Sequence, residues 1–296
     1  MRHSLILITC LTLGSLLFSI EPPEGIEVID WEEENGLLFD NGKAYEFTSE
    51  FSPKGRGIKD VTKKIEFFQR DDYWFYRYEN QETFVIPGDD LLQIFRKPSE
   101  NSLKEHYSVY YGLRGTPSET AQPPSDINIR TIKTKTFLSE NIFGRKIDYQ
   151  TTWLMRKFIK ACSCHQFIYD DLVPPWVEAE ADFGSTEEIK VIFKRPTDGI
   201  VILNGYVDIY RPYLFQQNNR LQEILISAKE FSTNFTFKDS PRFTTIKLPK
   251  KTSQITISIL SVYPGTKYND TAISAILGFI PKKVRKGPIK KQYKLR

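Results

Sequence analysis

Between residues 201 and 279, apolar side chains fall on alternate positions: Ile224 and Ile226, Phe235 and Phe237, Ile246 and Leu248, then Ile255, Ile257 and Ile259. A period of two is the mark of a strand with one face buried. Clusters of Gly, Pro, Asn, Asp and Lys separate these short runs, and no helix-length periodic segment lies between them. The pattern therefore predicts an antiparallel β-sandwich.

The same reading, applied upstream, gives strand-like pieces at residues 26–31, 36–39 and 44–47, with Asn35-Gly36 and Asp40-Asn41-Gly42 as hairpin turns. Residues 64–68 and the aromatic run Tyr73-Trp74-Phe75-Tyr76-Arg77-Tyr78 continue it. Leu91 to Phe95 reads as a strand or one helical turn, and residues 107–113 as a strand. Residues 114–127, with three prolines, form a linker. Residues 131–153 return to β-like composition and either finish a first domain or lead into a second. The organisation expected is thus all-β: a β-rich region over residues 21–150 and a sandwich over 154–281.

Residues 1–20 begin with Arg2 and His3 and continue as an uncharged apolar run too short for a comfortable bilayer span. They read as a secretory signal peptide, with an uncleaved anchor or lipidation at Cys10 as the alternatives. Behind them, residues 21–25 look like a spacer.

The chain of 296 residues is long enough for two modest domains, each with its own core. Its net charge of +4 is unevenly placed. The last sixteen residues hold eight Lys or Arg and no acid; without them and Arg2 the body stands at −5. A mildly acidic body argues against a phosphate-binding face of the kind nucleic acid needs. Residues 282–296 read as a solvated, disordered basic tail, able to meet a membrane surface only electrostatically. Beyond the leader only Cys162 and Cys164 remain, so the chain is not a disulfide scaffold.

In the second region the order of features is specific. A small-residue strand end at Ala161-Cys162-Ser163 is followed by Tyr169-Asp170-Asp171-Leu172, Trp176-Val177-Glu178 and Ile202-Leu203-Asn204-Gly205-Tyr206. Then come Asn219-Arg220-Leu221 and the closing run Val262-Tyr263-Pro264-Gly265-Thr266-Lys267-Tyr268-Asn269-Asp270-Thr271-Ala272-Ile273-Ser274. This order resembles the NADase-type glycan-binding (NAD glycohydrolase translocation) domain, a discoidin-like family related to coagulation factor 5/8 type C and galactose-binding-like sandwiches. The resemblance covers residues 154–281. It implies a jelly-roll sandwich, exported from a bacterium, that binds a glycan or another cell-surface partner without catalysis. Two departures stand out: Gly184-Ser185-Thr186-Glu187-Glu188 replaces the family's Gly-x-Gly-Glu, and Ala275 follows the final Ile-Ser where the family often has Glu.

Carried onto this chain, the resemblance names Asn204, Tyr206, Asn218, Arg220, Tyr263, Tyr268 and Asp270 as ligand-binding candidates, with Trp176 as a structural anchor. Asn218 and Arg220 offer donors to sugar hydroxyls, Asp270 an acceptor for vicinal hydroxyls, and Tyr206 or Tyr268 a stacking face. The bland alternatives are turn geometry at Asn204-Gly205 and Pro264-Gly265, and a turn cap at Asp270. The cluster of Tyr73, Trp74, Tyr76 and Tyr78 suits sugar stacking, but core filling is the simpler use of so many rings.

No cofactor is implied, although the Asp170-Asp171 loop is a conceivable calcium site. Cys162-Ser163-Cys164-His165 has the wrong spacing for a zinc knuckle. The two histidines outside the leader, His106 and His165, sit near no nucleophile motif. Carboxylates such as Asp89, Asp90, Glu178, Glu180, Glu187 and Glu188 leave a glycosidase pair open, because such a pair is defined by spatial separation. An enzyme acting on a glycan or NAD through residues 21–150, localised by the sandwich, is therefore the alternative reading. A structural envelope protein is a third, distinguished by an exposed apolar patch in place of a polar, aromatic-rimmed cleft.

Overall fold

The computed structural model describes residues 28–30, 35–40, 43–52, 55–65, 67–70, 72–78, 81–88, 91–96, 108–113, 128–142, 144–155, 174–208 and 210–278. The leader, the spacer, the linker at 114–127, the Cys162-Cys164-His165 group, the Asp170-Asp171 loop, Asp89, Asp90 and the basic tail lie outside them.

The fold is all-β and antiparallel. The N-terminal part forms two meanders. In the first, β1 (Val28–Asp30), β2 (Asn35–Asp40), β3 (Lys43–Ser52) and β4 (Gly55–Ile65) pair in chain order. In the second, β5 (Phe67–Arg70), β6 (Tyr73–Tyr78), β7 (Gln81–Ile86), β8 (Leu91–Arg96) and β9 (Ser108–Leu113) do the same. The segment that read as strand or helical turn is the strand β8.

Strand β10 (Ile129–Lys133) pairs antiparallel with β14 (Glu188–Asn204), so the stretch whose domain was open joins the sandwich. A small ribbon follows, β11 (Ser139–Ile142) with β12 (Arg145–Asp148). The sandwich then continues through β13 (Trp176–Val177), β14, the single-turn helix α1 (Leu214–Gln217), β15 (Arg220–Ala228), β16 (Phe231–Thr236), β17 (Phe243–Tyr263) and β18 (Ala272–Leu277). Its strand order is β13-β18-β14-β17-β15-β16.

The alternate positions behave as a half-buried pattern requires. Ile224, Ile226, Ile246, Leu248, Ile255, Ile257 and Ile259 are all buried, as is Phe237, while Phe235 packs against them half-exposed. Where the sequence suggests short strands divided by turns, two long strands run instead, β14 with 17 residues and β17 with 21. The turn-like run Lys194-Arg195-Pro196-Thr197-Asp198 is absorbed as an irregularity, because pairing with β17 jumps from Ile192 to Thr197 and again to Gly199. A bulge of this kind bends a strand without ending it, and gives Pro196 a place where no ladder donor is needed.

The N-terminal meander is not a separate body. Tyr73, Phe84 and Ile86 belong to the same buried cluster as the sandwich interior. Phe243 N donates to Pro87 O at 2.8 Å, and Gly88 bridges to Phe243. Tyr73 is buried, against Phe84 at 4.8 Å and edge-on to Phe215 at 6.1 Å between ring centroids, so this member of the aromatic cluster serves the core. Trp74 is half-buried.

Candidate functional site

One end of the sandwich is built from three loops, residues 178–187, 205–219 and 264–271, with α1 among them. Its construction begins with the two turn glycines. Gly205 has φ +80°, and a Cβ there would lie 2.5 Å from the Phe215 ring; a Cβ on Gly265 would lie 2.4 Å from Tyr268 O and 2.5 Å from Gln217 O. Only glycine allows the 264–271 loop to approach α1 so closely.

That approach is paid back in hydrogen bonds. Thr266 N donates to Gln216 O at 2.9 Å, and Lys267 N and Tyr268 N donate to Gln217 O at 3.2 and 2.8 Å, satisfying carbonyls at the C-terminal end of α1. Asn219, buried, fastens the same loop from beneath: its Oδ1 accepts from Gly265 N at 2.7 Å and its Nδ2 donates to Asn269 O.

The candidates from sequence divide by burial. Asn204 is 1 % exposed, and its amide joins both sides of Leu221, donating to the carbonyl at 2.8 Å and accepting from the N–H at 2.9 Å. Asn218 is buried and donates to Leu214 O at 2.8 Å. Arg220 is 3 % exposed; it meets Asp239 through two hydrogen bonds and directs Nη1 at the carbonyls of Gln216, Asn218 and Pro264. Its guanidinium also lies 5.3 Å from the Phe215 ring centroid. Tyr206 is buried against Tyr149, with centroids 6.3 Å apart, and burial pushes its hydroxyl up to about 12. These four side chains form the frame of the loop end.

Tyr263 is half-exposed and donates its hydroxyl to Phe237 O at 2.8 Å. Tyr268 is half-exposed, with Lys267 Nζ 4.8 Å from its ring centroid. Asp270 is half-buried. Its expected capping partners are engaged elsewhere, since Thr271 N donates to Glu178 Oε1 at 3.1 Å and Ala272 N to Asn219 O at 3.1 Å. Burial, with the nearby Glu140 charge, raises its carboxyl above the usual range. Trp176 is fully buried, with its indole N–H donating to Thr136 O at 3.0 Å.

Two buried carboxylates complete the frame. Glu178 accepts from Glu180 N at 2.5 Å and from Thr271 N, and Glu187 accepts from Lys135 N, Thr136 N and the Thr136 hydroxyl. Burial raises Glu178 to about 7. Both spend their oxygens on loop backbone, the use expected of carboxylates tying loops together. Gly184, at φ +80°, packs on Glu178, and Glu187 N donates to Gly184 O at 2.9 Å. The Gly184 to Glu187 departure from the family pattern thus still delivers a buried Glu. Ala275 is buried opposite Leu203, so that difference lies in the core.

The sequence reading missed the exposed residues of this end. Tyr213, immediately before α1, is 54 % exposed, Tyr210 is 40 % exposed, and Lys267 projects beside Tyr268. Arg211 is held by Asp208 through two hydrogen bonds at 3.0 and 2.8 Å, while Asp208 Oδ1 also accepts from Tyr210 N and Arg211 N. Tyr210 and Tyr213 are thus exposed on the 205–219 loop, whose polar groups are largely paired with one another. Among the described residues, no group of three or more His, Cys, Asp or Glu is placed to hold a metal ion, and no helix is long and apolar enough to cross a membrane.

Residues 145–278 match the model of the NAD glycohydrolase translocation F5/8 type C domain. The match suggests a carbohydrate-binding or cell-surface-binding role, and a non-catalytic one. No curated protein matches the chain. Among solved structures, the arabinofuranosyltransferase AftD from Mycobacteria is similar at 12% identity and a TM-score of 0.33, over 49% of this chain and 10% of that one. The chain thus spans about a tenth of the transferase's length. A glycoside hydrolase is similar at 12% identity and a TM-score of 0.34, over 81% of this chain and 69% of that one.

Proposed function

We propose that this chain is an exported, non-catalytic binding protein whose sandwich recognises a glycan on a cell surface through the loops at 205–219 and 264–271. The observation that carries the reading is the exposure of Tyr213, next to α1 on which the 264–271 loop packs, above a frame whose polar groups are already paired with one another. The exposed Tyr213 ring offers an apolar face for the C–H side of a pyranose, and Lys267 and Asp270, both on the 264–271 loop, are polar partners for its hydroxyls. Asn204, Asn218, Arg220 and Tyr206 act one step back, by holding the loops in place; Tyr263 supports the same loop from β17.

Export rests on the leader-like residues 1–20 and on the kind of domain matched over 145–278. The test is a broad glycan-array screen of the purified full chain, with Tyr213→Ala alongside. Binding that is lost in the variant supports the reading, and silence from a demonstrably folded protein overturns it.

A further inference from the structure

Among the described residues, two arginines at the loop end are neutralised by carboxylates. Arg211 is paired with Asp208 and Arg220 with Asp239. Lys267 differs: among the described residues no carboxylate lies within ion-pair distance of it, and the groups that act on its ammonium are the Tyr268 and Tyr213 side chains. Its backbone is pinned to Gln217 O, and the neighbouring Gly265 is locked against α1, so the ammonium is offered from a fixed base. An exposed ammonium held over the Tyr268 ring, paired with no described carboxylate and carried by the loop that packs on α1 next to the exposed Tyr213, is a half-built recognition site.

Building on the glycan reading, we infer that the ligand is a carboxylated sugar, stacked on the exposed Tyr213 with its carboxylate on Lys267. The geometry favours this class for a physical reason. In a uronic-type pyranose the carboxylate projects from the ring edge, so one sugar presents an apolar face and a single anionic group in adjacent directions. One ammonium suits a monoanion, whereas a phosphate or sulfate cluster is better met by several donors or an Arg fork. A bilayer of anionic lipid is a poorer fit, because a single lysine is a weak anchor there.

The test is calorimetric titration of the full chain with a hexuronan oligosaccharide and with its carboxyl-reduced, neutral counterpart. The acid form is expected to bind at least about tenfold tighter, the scale of one charge-assisted hydrogen bond. The ratio should fall towards one in Lys267→Met and at high salt, while Tyr213→Ala weakens both forms. Equal affinity for the two forms, or a ratio that survives Lys267→Met, overturns the inference and leaves the glycan reading standing. Binding to neither form, together with a silent glycan array, overturns both. Capture by phosphatidylserine vesicles without hexuronan binding overturns the inference in favour of a membrane. Lys267 and Tyr213 are exposed, so both variants should fold, which circular dichroism checks.

Discussion

Arg220 and Asp239, nineteen residues apart, meet through two hydrogen bonds of 2.8 and 2.7 Å, Nε to Oδ1 and Nη2 to Oδ2. The pair ties β15 to the β16–β17 connection, while the remaining guanidinium nitrogen reaches backbone carbonyls of two loops. The arginine is 3 % exposed, so solvent screens the pair little on that side.

Removing that side chain leaves Asp239 and three carbonyls without their donor. Asp239 itself is exposed, so the loss falls mainly on the loop carbonyls, and Arg220→Ala is expected to cost about 1 to 3 kcal/mol, the range for leaving buried acceptors unpaired. Urea denaturation reads it as a lowered midpoint, and a loss below about 1 kcal/mol would mean that the clamp is not structural. Weakened ligand binding in this variant would therefore report damaged loops, which is why Tyr213 and Lys267 are the better probes of the surface.

Gly265 makes a second, independent claim on the same loop. A methyl group there meets backbone oxygens of Tyr268 and Gln217, neither of which can swing aside. Gly265→Ala should cost about 1 to 3 kcal/mol, as overpacking does. Because the loop must retreat from α1, Lys267 and Tyr268 should also lose their fixed placement, and amide exchange at Thr266, Lys267 and Tyr268 should quicken. Unchanged protection at those amides would refute the account.

The carboxyl of Glu178 gives the fold a pH dependence. Burial raises it to about 7, against an ordinary value of 4.5. Between those values the folded chain keeps a proton that the unfolded chain releases, so stability falls as pH rises through that window. The drop is at most about 3 kcal/mol. Asp270, also raised, acts in the same direction, whereas Asp148 and Asp182, held low by hydrogen bonds from Ser139 and Ser185, act only in acid and with the opposite sign. Denaturation midpoints measured from pH 4.5 to 8 should decline, and Glu178→Gln should flatten the decline whatever it does to the absolute level.

Tyr73 joins the N-terminal meander to α1. Truncating it empties the space between Phe84 and Phe215, and Tyr73→Ala should cost ~3 kcal/mol or more. Limited proteolysis near residues 205–219 should accelerate in the variant, since Phe215 loses its support from the meander. A proteolysis pattern identical to the parent would show that the meander does not brace the loop end.

The sandwich was legible because burial writes a period of two into a strand, and the alternating isoleucines from Ile224 to Ile259 carry it. The long reach of β14 and β17 was not, because Pro196, Asp198 and Gly199 have the chemistry of a turn whether the chain reverses there or merely bulges. The candidate site was legible as a neighbourhood and opaque in its roles. Asn204, Asn218 and Arg220 carry the donors a sugar would want, but those donors serve equally to hold loops, and only burial separates the two uses. Lys267 and Tyr213 gave no such signal, since nothing in sequence announces that a lysine lacks an acidic neighbour.

Strand β17 borders β14 along most of its length and β15 along its second half, so a single unbroken backbone is stitched into both halves of the sandwich. Neither β14 nor β15 can separate without breaking its ladder to β17, so these three strands should unfold together in one cooperative step. Partners in pairing lie far apart along the chain, with Leu203 meeting Phe243 and Val201 meeting Leu277, so the ends of the domain must find each other early. Such a chain folds slowly and exposes open strand edges while it does so.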